Sequence, residues 1–124
     1  SILGISSFNS LLGHPVLGKS WEGYVIEQII AFTENAFEYY FYRTQDGTEC
    51  DLVIARNNKP IVCVECKVSA PRQVTKGFIN SIADMKTVHN FIVAVKCPDA
   101  YNIQKNITVC DLNTVLDKLK LLLK

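Results

Sequence analysis

Residues 37–68 read FEYYFYRTQDGTECDLVIARNNKPIVCVECKV, and this stretch decides the fold of the chain. It contains three runs rich in β-branched and aromatic residues, which favour strands. Asp46-Gly47 separates the first two runs and Asn57-Asn58 lies between the last two, and such pairs are typical of tight hairpin turns. The stretch therefore predicts three consecutive antiparallel strands, at 37–43, 49–55 and 61–68.

Helical spacing of apolar residues precedes and follows these strands. It predicts a first helix from Ser20 to Asn35, with Ser20 as N-cap and Glu22 in the first turn. The later elements are a helix at 73–87 that Gly77 weakens, strands at 91–95 and 107–110, and a closing helix at 114–123 capped by Asp111 or Asn113. The order αβββαβ plus a terminal βα predicts an α/β fold, in which helices cover both faces of a mixed sheet of about four or five strands.

Length and composition restrict the classes of protein that fit. The 124 residues suit one domain, with 1–18 as an apolar lead-in, and 48% hydrophobic residues are enough for a core. A formal net charge of +1 gives no overall attraction to nucleic acid or anionic lipid. Neither a membrane span nor a signal peptide is evident, so we expect a cytoplasmic protein. The start without Met suggests a fragment of a longer chain.

The five cysteines are an odd number and lie in or beside apolar runs, which favours buried free thiols. Cys63 and Cys66 form a C-x-x-C motif, but residues three apart in a strand point to opposite faces. No second pair of ligands follows at the spacing of a zinc site, so we expect neither a zinc site nor a redox site.

The informative residues are charged side chains inside apolar strands: Glu49 and Asp51 in one strand, and Glu65 and Lys67 in the next. Burying a charge costs several kcal/mol unless it is paired or binds a metal. Each pair shares one face of its strand, because side chains alternate with a period of two. If the two faces coincide, three carboxylates and a lysine converge and form a site for a hard cation.

Convergence depends on the register of the hairpin. Asp51 and Glu65 share a face only if the numbers of directly paired residues sum to an even value. A two-residue Asn57-Asn58 turn alone would pair Arg56 with Lys59 and send Glu65 to the wrong face. We therefore expect an odd loop or a compensating bulge, most simply a three-residue loop, 57–59. That register places Asp51 opposite Glu65 and Glu49 opposite Lys67.

The order of these motifs resembles the PD-(D/E)XK nuclease superfamily, which has the restriction-endonuclease-like fold. The segments LLGHPVLGKSWEGYVIE, YRTQDGTECDLV and VECKVS more specifically resemble the carboxy-terminal domain of unknown function of prokaryotic AAA-type ATPases. The resemblance implies a domain that hydrolyses DNA and is accessory to an upstream ATPase. It makes Asp51 and Glu65 ligands of Mg²⁺ or Mn²⁺ and Lys67 the catalytic lysine. Glu22 becomes the acidic residue of the helix, and Cys50 replaces the usual Pro of the Pro-Asp motif.

In this interpretation the Cys66 carbonyl is a further metal ligand, and Glu22 reaches the metal through water. The metal lowers the pKa of a bound water and neutralises charge on the scissile phosphate, while Lys67 orients that water or stabilises the transition state.

Other interpretations remain open at this stage. One alternative is a salt-bridge ladder of the charged strand residues on a solvent-facing sheet, and another is that Glu22 only complements a helix dipole. The near-neutral charge favours a catalytically inactive nuclease-fold module that regulates an ATPase. Simple structural roles also suit the remaining candidates, which are Glu27, His14, His89, the aromatic run 37–42 and the basic residues Arg72, Lys76 and Lys86.

Overall fold

A computed structural model describes residues 15–124. Most of the predicted lead-in 1–18 lies outside the described residues, and its last four residues belong to the first helix. The elements are α1 (Pro15–Phe32), β1 (Glu38–Arg43), β2 (Glu49–Arg56), β3 (Lys59–Ser69), α2 (Lys76–Met85), β4 (His89–Lys96), β5 (Tyr101–Gln104), β6 (Ile107–Cys110) and α3 (Leu112–Leu122).

The strands form one mixed sheet in the order β1-β2-β3-β4-β6-β5. β1, β2 and β3 are antiparallel neighbours, whereas β3, β4 and β6 run parallel, and β5 pairs antiparallel with β6. The predicted α/β class with a mixed sheet is confirmed. The predicted strand count is one too low because β5, with the sequence YNIQ, is a short and mostly exposed edge strand without an apolar run.

Helices cover both faces of the sheet, as predicted. Val25 and Ile29 of α1 and Val115 and Leu119 of α3 pack into one core layer. Phe78 of α2 packs into the other layer, which contains other residues of the same strands. The central strands are therefore buried on both sides, and charged side chains in them occupy unusual positions.

The helix boundaries differ from the predicted ones. Ser20 is not an N-cap, because α1 already includes Pro15 and Ser20 lies inside it. The chain leaves α1 through Glu34 and Asn35, which have the left-handed φ values of 58° and 52°. Of the two predicted caps for α3, the structure has Asp111, whose Oδ1 accepts a hydrogen bond of 2.9 Å from the Thr114 N–H.

Gly77 lies in the first turn of α2, where the sequence alone identifies it only as a weak helix former. A Cβ added at this position would lie 2.8 Å from the carbonyl oxygen of Gly47 in the β1–β2 turn. Carbon and oxygen atoms do not approach so closely without repulsion, so a larger residue would push α2 away from the hairpin. Gly77 thus allows the helix to pack against the turn.

The predicted three-residue loop between β2 and β3 is wrong. Asn57 and Asn58 form a two-residue turn with left-handed φ values of 52° and 64°, and Arg56 pairs with Lys59. The register then shifts between Ala55, which pairs with Pro60, and Ile54, which pairs with Val62. This bulge contains one extra residue in β3 and restores the even sum that the site requires. The predicted register is confirmed from Ile54–Val62 to Leu52–Val64, although a bulge rather than an odd loop produces it; the regular pairing of β2 with β3 ends there, before the predicted pairs Asp51–Glu65 and Glu49–Lys67.

Candidate active site

One cleft contains the four predicted site residues. It lies where β2 begins and β3 ends, beside α1, and has a volume of about 280 Å³. Its lining includes Glu22 of α1, Asp51 of β2, and Glu65 and Lys67 of β3. Gly18, Lys19, Glu49 and Cys66 complete the lining. The hairpin register and the packing of α1 on the sheet thus bring together residues that are 45 positions apart in the chain.

Asp51 is held by the backbone of the neighbouring strand. Its Oδ2 accepts a hydrogen bond of 2.8 Å from the N–H of Cys66. This bond favours the carboxylate, but burial outweighs it and raises the pKa of Asp51 to about 6, with a further contribution from the nearby charge of Glu22. Asp51 therefore lies in a fixed orientation in which part of its hydrogen-bonding capacity is already used.

Glu65 is the most unusual group of the cleft. Only 6% of the residue is exposed. The Thr75 hydroxyl donates a long hydrogen bond of 3.4 Å to its Oε1, and its Oε2 is buried without a hydrogen-bond partner. Burial raises the pKa of Glu65 to about 7. A buried carboxylate oxygen without a partner costs stability, so it identifies a position where a cation or a proton is favoured.

The Thr75 contact was not predicted. Thr75 is the N-cap of α2, and its Oγ1 accepts a hydrogen bond of 3.2 Å from the Phe78 N–H. The same hydroxyl donates to Glu65, which links the start of α2 to the cleft. A Thr before a short helical pattern suggests a cap, but no local signal shows that it contacts a residue in β3.

Lys67 and Glu22 complete the charge distribution. The positive charge of Lys67 lowers the pKa of both Asp51 and Glu65, although less than burial raises it for Glu65. Glu22 lies about two turns beyond Pro15, so the prediction that it occupies the first turn and complements the helix dipole is wrong. Its Oε1 is 4.0 Å from Lys19 Nζ at the surface.

The salt-bridge ladder on an exposed sheet is also absent from the described part of the chain. Glu49 pairs with Arg43 of β1 at 3.3 Å rather than with Lys67, and both side chains are more than half exposed. Glu65 is buried rather than solvent-facing. The cleft therefore has an exposed ion pair at its rim, and inside it the carboxylate of Glu65 is buried and that of Asp51 is half-buried.

The donor set suits a hard cation, although it is not a complete coordination shell. Within residues 15–124, no three His, Cys, Asp or Glu side chains lie together closely enough to form a metal site. Asp51 and the unpartnered Oε2 of Glu65 supply carboxylate oxygens, which are ligands that Mg²⁺ and Mn²⁺ prefer. Mg²⁺ usually keeps several waters and needs only one or two carboxylates, so the residues fit such an ion.

The remaining candidate residues have structural explanations. Cys63 and Cys66 face opposite core layers, which confirms the expectation from strand geometry, and all five cysteines are free. His89 is half-buried at the start of β4, whereas His14 lies outside the described residues. Glu27, Arg72, Lys76 and Lys86 are exposed. None of the helices in residues 15–124 is long and apolar enough to cross a membrane.

Residues 17–115 match the model of a family described as "Domain of unknown function (DUF4143)". The match extends over most of the chain, which therefore belongs to this family. The chain is also 30% identical over 92 residues to "Uncharacterized protein Mb2031c" of Mycobacterium bovis and to "Uncharacterized protein Rv2008c" of Mycobacterium tuberculosis. These matches cover 74% of the chain but only 20% of each relative. No solved structure gives a significant match.

Proposed function

We propose that this domain is a metal-dependent nuclease of the PD-(D/E)XK type that hydrolyses phosphodiester bonds in DNA. The observation that carries the proposal is Glu65, which is 6% exposed and has an unpartnered carboxylate oxygen in a cleft that also contains Asp51 and Lys67. A protein does not retain such a costly group for packing alone, since an apolar side chain of similar size would be more stable.

Each residue has a distinct role in this proposal. Asp51 and Glu65 would hold Mg²⁺ or Mn²⁺, with the Cys66 carbonyl as a further ligand and Glu22 positioned to bind a metal-bound water. The bound cation would acidify a water molecule and neutralise the charge that develops on the scissile phosphate. Lys67 orients the attacking water and stabilises the extra negative charge on the phosphate oxygens. The Cys66 N–H favours the ionised form of Asp51 and fixes its orientation.

We also propose that the domain acts as an accessory to an ATPase region of the same protein. The resemblance of its motifs to the carboxy-terminal domain of AAA-type ATPases supports this partner. The chain spans only 20% of the length of its two mycobacterial relatives, which is consistent with one domain of a longer protein. With a net charge of +1, the domain does not attract DNA strongly by itself. An ATPase would supply the DNA substrate or remodel it.

Cleavage assays test the proposed activity. Plasmid and single-stranded DNA are incubated with the chain and Mg²⁺ or Mn²⁺, with Asp51→Asn and Lys67→Met as site variants. Asp51→Asn keeps an acceptor for the Cys66 N–H, so its fold should persist. We expect cleavage by the wild type, at least a hundredfold loss in both variants, and no change in Glu27→Gln, which alters an exposed residue of α1. Equal cleavage by wild type and Asp51→Asn would contradict the assignment.

A second candidate function is a catalytically inactive module that regulates the ATPase. Two observations favour it: the net charge of +1 and the absence of three close metal-ligating side chains within residues 15–124. Full-length protein that binds Mn²⁺ but cleaves neither DNA form, and whose ATP hydrolysis changes when residues 15–124 are deleted, would support this function. Cleavage that Asp51→Asn abolishes would exclude it.

A further inference from the structure

An apolar groove adjoins the acidic cleft on the α1 side of the sheet. The groove has a volume of about 380 Å³, which is within the range of about 300–1,000 Å³ for small-molecule sites. Apolar and aromatic side chains form much of its wall: Ile26 and Ile30 of α1, Tyr39 and Phe41 of β1, and Leu52 of β2. It shares the lining residues Glu22, Glu49 and Asp51 with the acidic cleft, so the two spaces are adjacent.

An irregularity in the sheet places an aromatic ring beside the cleft. Tyr40 pairs with Val53 and Tyr42 pairs with Cys50, so Phe41 lies opposite Asp51 and Leu52 in a bulge. Adjacent strands are about 4.8 Å apart, which makes Phe41 an immediate neighbour of Asp51 across β1 and β2. Phe41 is 71% exposed, the largest exposure among the large hydrophobic side chains of the described residues. Its ring is therefore accessible at the side of the groove.

We propose that this groove binds the base of an unpaired nucleotide next to the scissile phosphate. The substrate class would therefore be single-stranded DNA or a frayed end rather than an intact duplex. This inference rests on the proposed nuclease function. Bases inside a duplex are covered on both faces by their neighbours, so the Phe41 ring can stack only on a base that has left the helix.

The charges around the groove agree with a nucleotide that arrives together with a cation. Carboxylates of Glu22, Glu49 and Asp51 lie at the junction with the acidic cleft and repel phosphate in the absence of metal. Arg43 lines the groove with a side chain that is 61% exposed, and it can exchange its pairing with Glu49 for a phosphate. Strand binding should therefore require a divalent ion and should weaken with salt.

Binding of a 12-nucleotide single strand that contains 2-aminopurine tests the groove. The assay measures anisotropy and base fluorescence in Ca²⁺, which binds carboxylate oxygens, and compares the strand with its blunt duplex. We expect the wild type to prefer the single strand and Phe41→Ala to bind it about 5- to 100-fold more weakly, the loss of one stacked base. Phe41→Trp should retain binding. The control is Phe32→Ala, which removes another exposed ring of 42% exposure outside the groove and should change affinity less than twofold.

Different experimental outcomes would refute the base-binding groove and the proposed nuclease function. Equal affinity for single strand and duplex, or equal behaviour of Phe41→Ala and Phe32→Ala, would overturn the groove even if Mn²⁺ still binds through Glu65. Titration calorimetry that detects no Mn²⁺ binding, together with Phe41-dependent strand binding that persists in EDTA, would refute the metal site and the requirement for a divalent ion, and would retain the groove as a base-binding site. Sedimentation that shows a dimer disrupted by Phe41→Ala, without an effect on DNA, would assign this surface to a second copy of the chain and overturn the proposal.

Discussion

Replacing Glu65 by Gln should stabilise the chain at pH 8 in the absence of divalent metal. Burial raises the pKa of Glu65 from 4.5 to about 7, so the folded protein holds this proton more tightly than the unfolded chain does. Each pKa unit corresponds to about 1.36 kcal/mol, so ionised Glu65 lowers the free energy of unfolding by about 3 kcal/mol above pH 7. Gln keeps an acceptor for Thr75 and carries no charge.

The contribution of Glu65 to the free energy of unfolding should decrease as pH rises. Below pH 4.5 the carboxyl is protonated in both states and imposes no penalty, so the wild type is most stable with respect to this group. As pH rises from 4.5 to about 7, the unfolded state loses the proton first, and stability falls. Glu65→Gln should lack this decline and keep one of similar size that ends near pH 6, which arises from Asp51.

Urea denaturation from pH 4 to pH 8 measures these differences. Trp21 is the only tryptophan, and its Nε1 donates a hydrogen bond of 3.1 Å to the Val93 carbonyl, so its fluorescence reports on packing of α1 against the sheet. Glu27→Gln is the matched control, since Glu27 is exposed on α1. Millimolar Mn²⁺ should stabilise the wild type at pH 8 but not Glu65→Gln. A Glu65→Gln variant that is less stable than wild type at pH 8, or a difference independent of pH, would refute the reasoning.

Two further substitutions test how α2 supports the site. Thr75→Val removes the cap on the Phe78 N–H and the hydrogen bond to Glu65, and should cost about 0.5–2 kcal/mol of stability and weaken Mn²⁺ binding, whereas Thr75→Ser should restore both. A Ser variant with the same defects as Val would argue against the hydroxyl. Gly77→Ala should destabilise the chain by about 1–3 kcal/mol despite the higher helix propensity of Ala, because its Cβ would lie 2.8 Å from the Gly47 carbonyl oxygen. Thermal melts measure whether Gly77→Ala lowers or raises stability, and a stabilised Ala variant would contradict the predicted clash with the Gly47 carbonyl oxygen.

The class of fold and the residues that line the candidate site follow from short-range patterns in the sequence. Alternation with a period of two placed Asp51 with Glu49 and Glu65 with Lys67, and turn residues marked the hairpins. These properties are encoded by residues close together in the chain, so reading the sequence recovers them. Directly opposed residues of antiparallel strands share a face, so Asp51 and Glu65 meet only with an odd loop or a bulge.

The choice between an odd loop and a bulge, and the contacts that support the site, depend instead on the packing of distant segments. The Asn57-Asn58 turn is compatible with local sequence signals, but the bulge at Pro60–Val62 depends on how both faces of the hairpin pack into two core layers. The exposure of Phe41, the contact of Thr75 with Glu65 and the space for Gly77 likewise join distant segments. Their physical reason is close packing between elements, since the position of one element against another depends on all the contacts between them and not on the propensities of either.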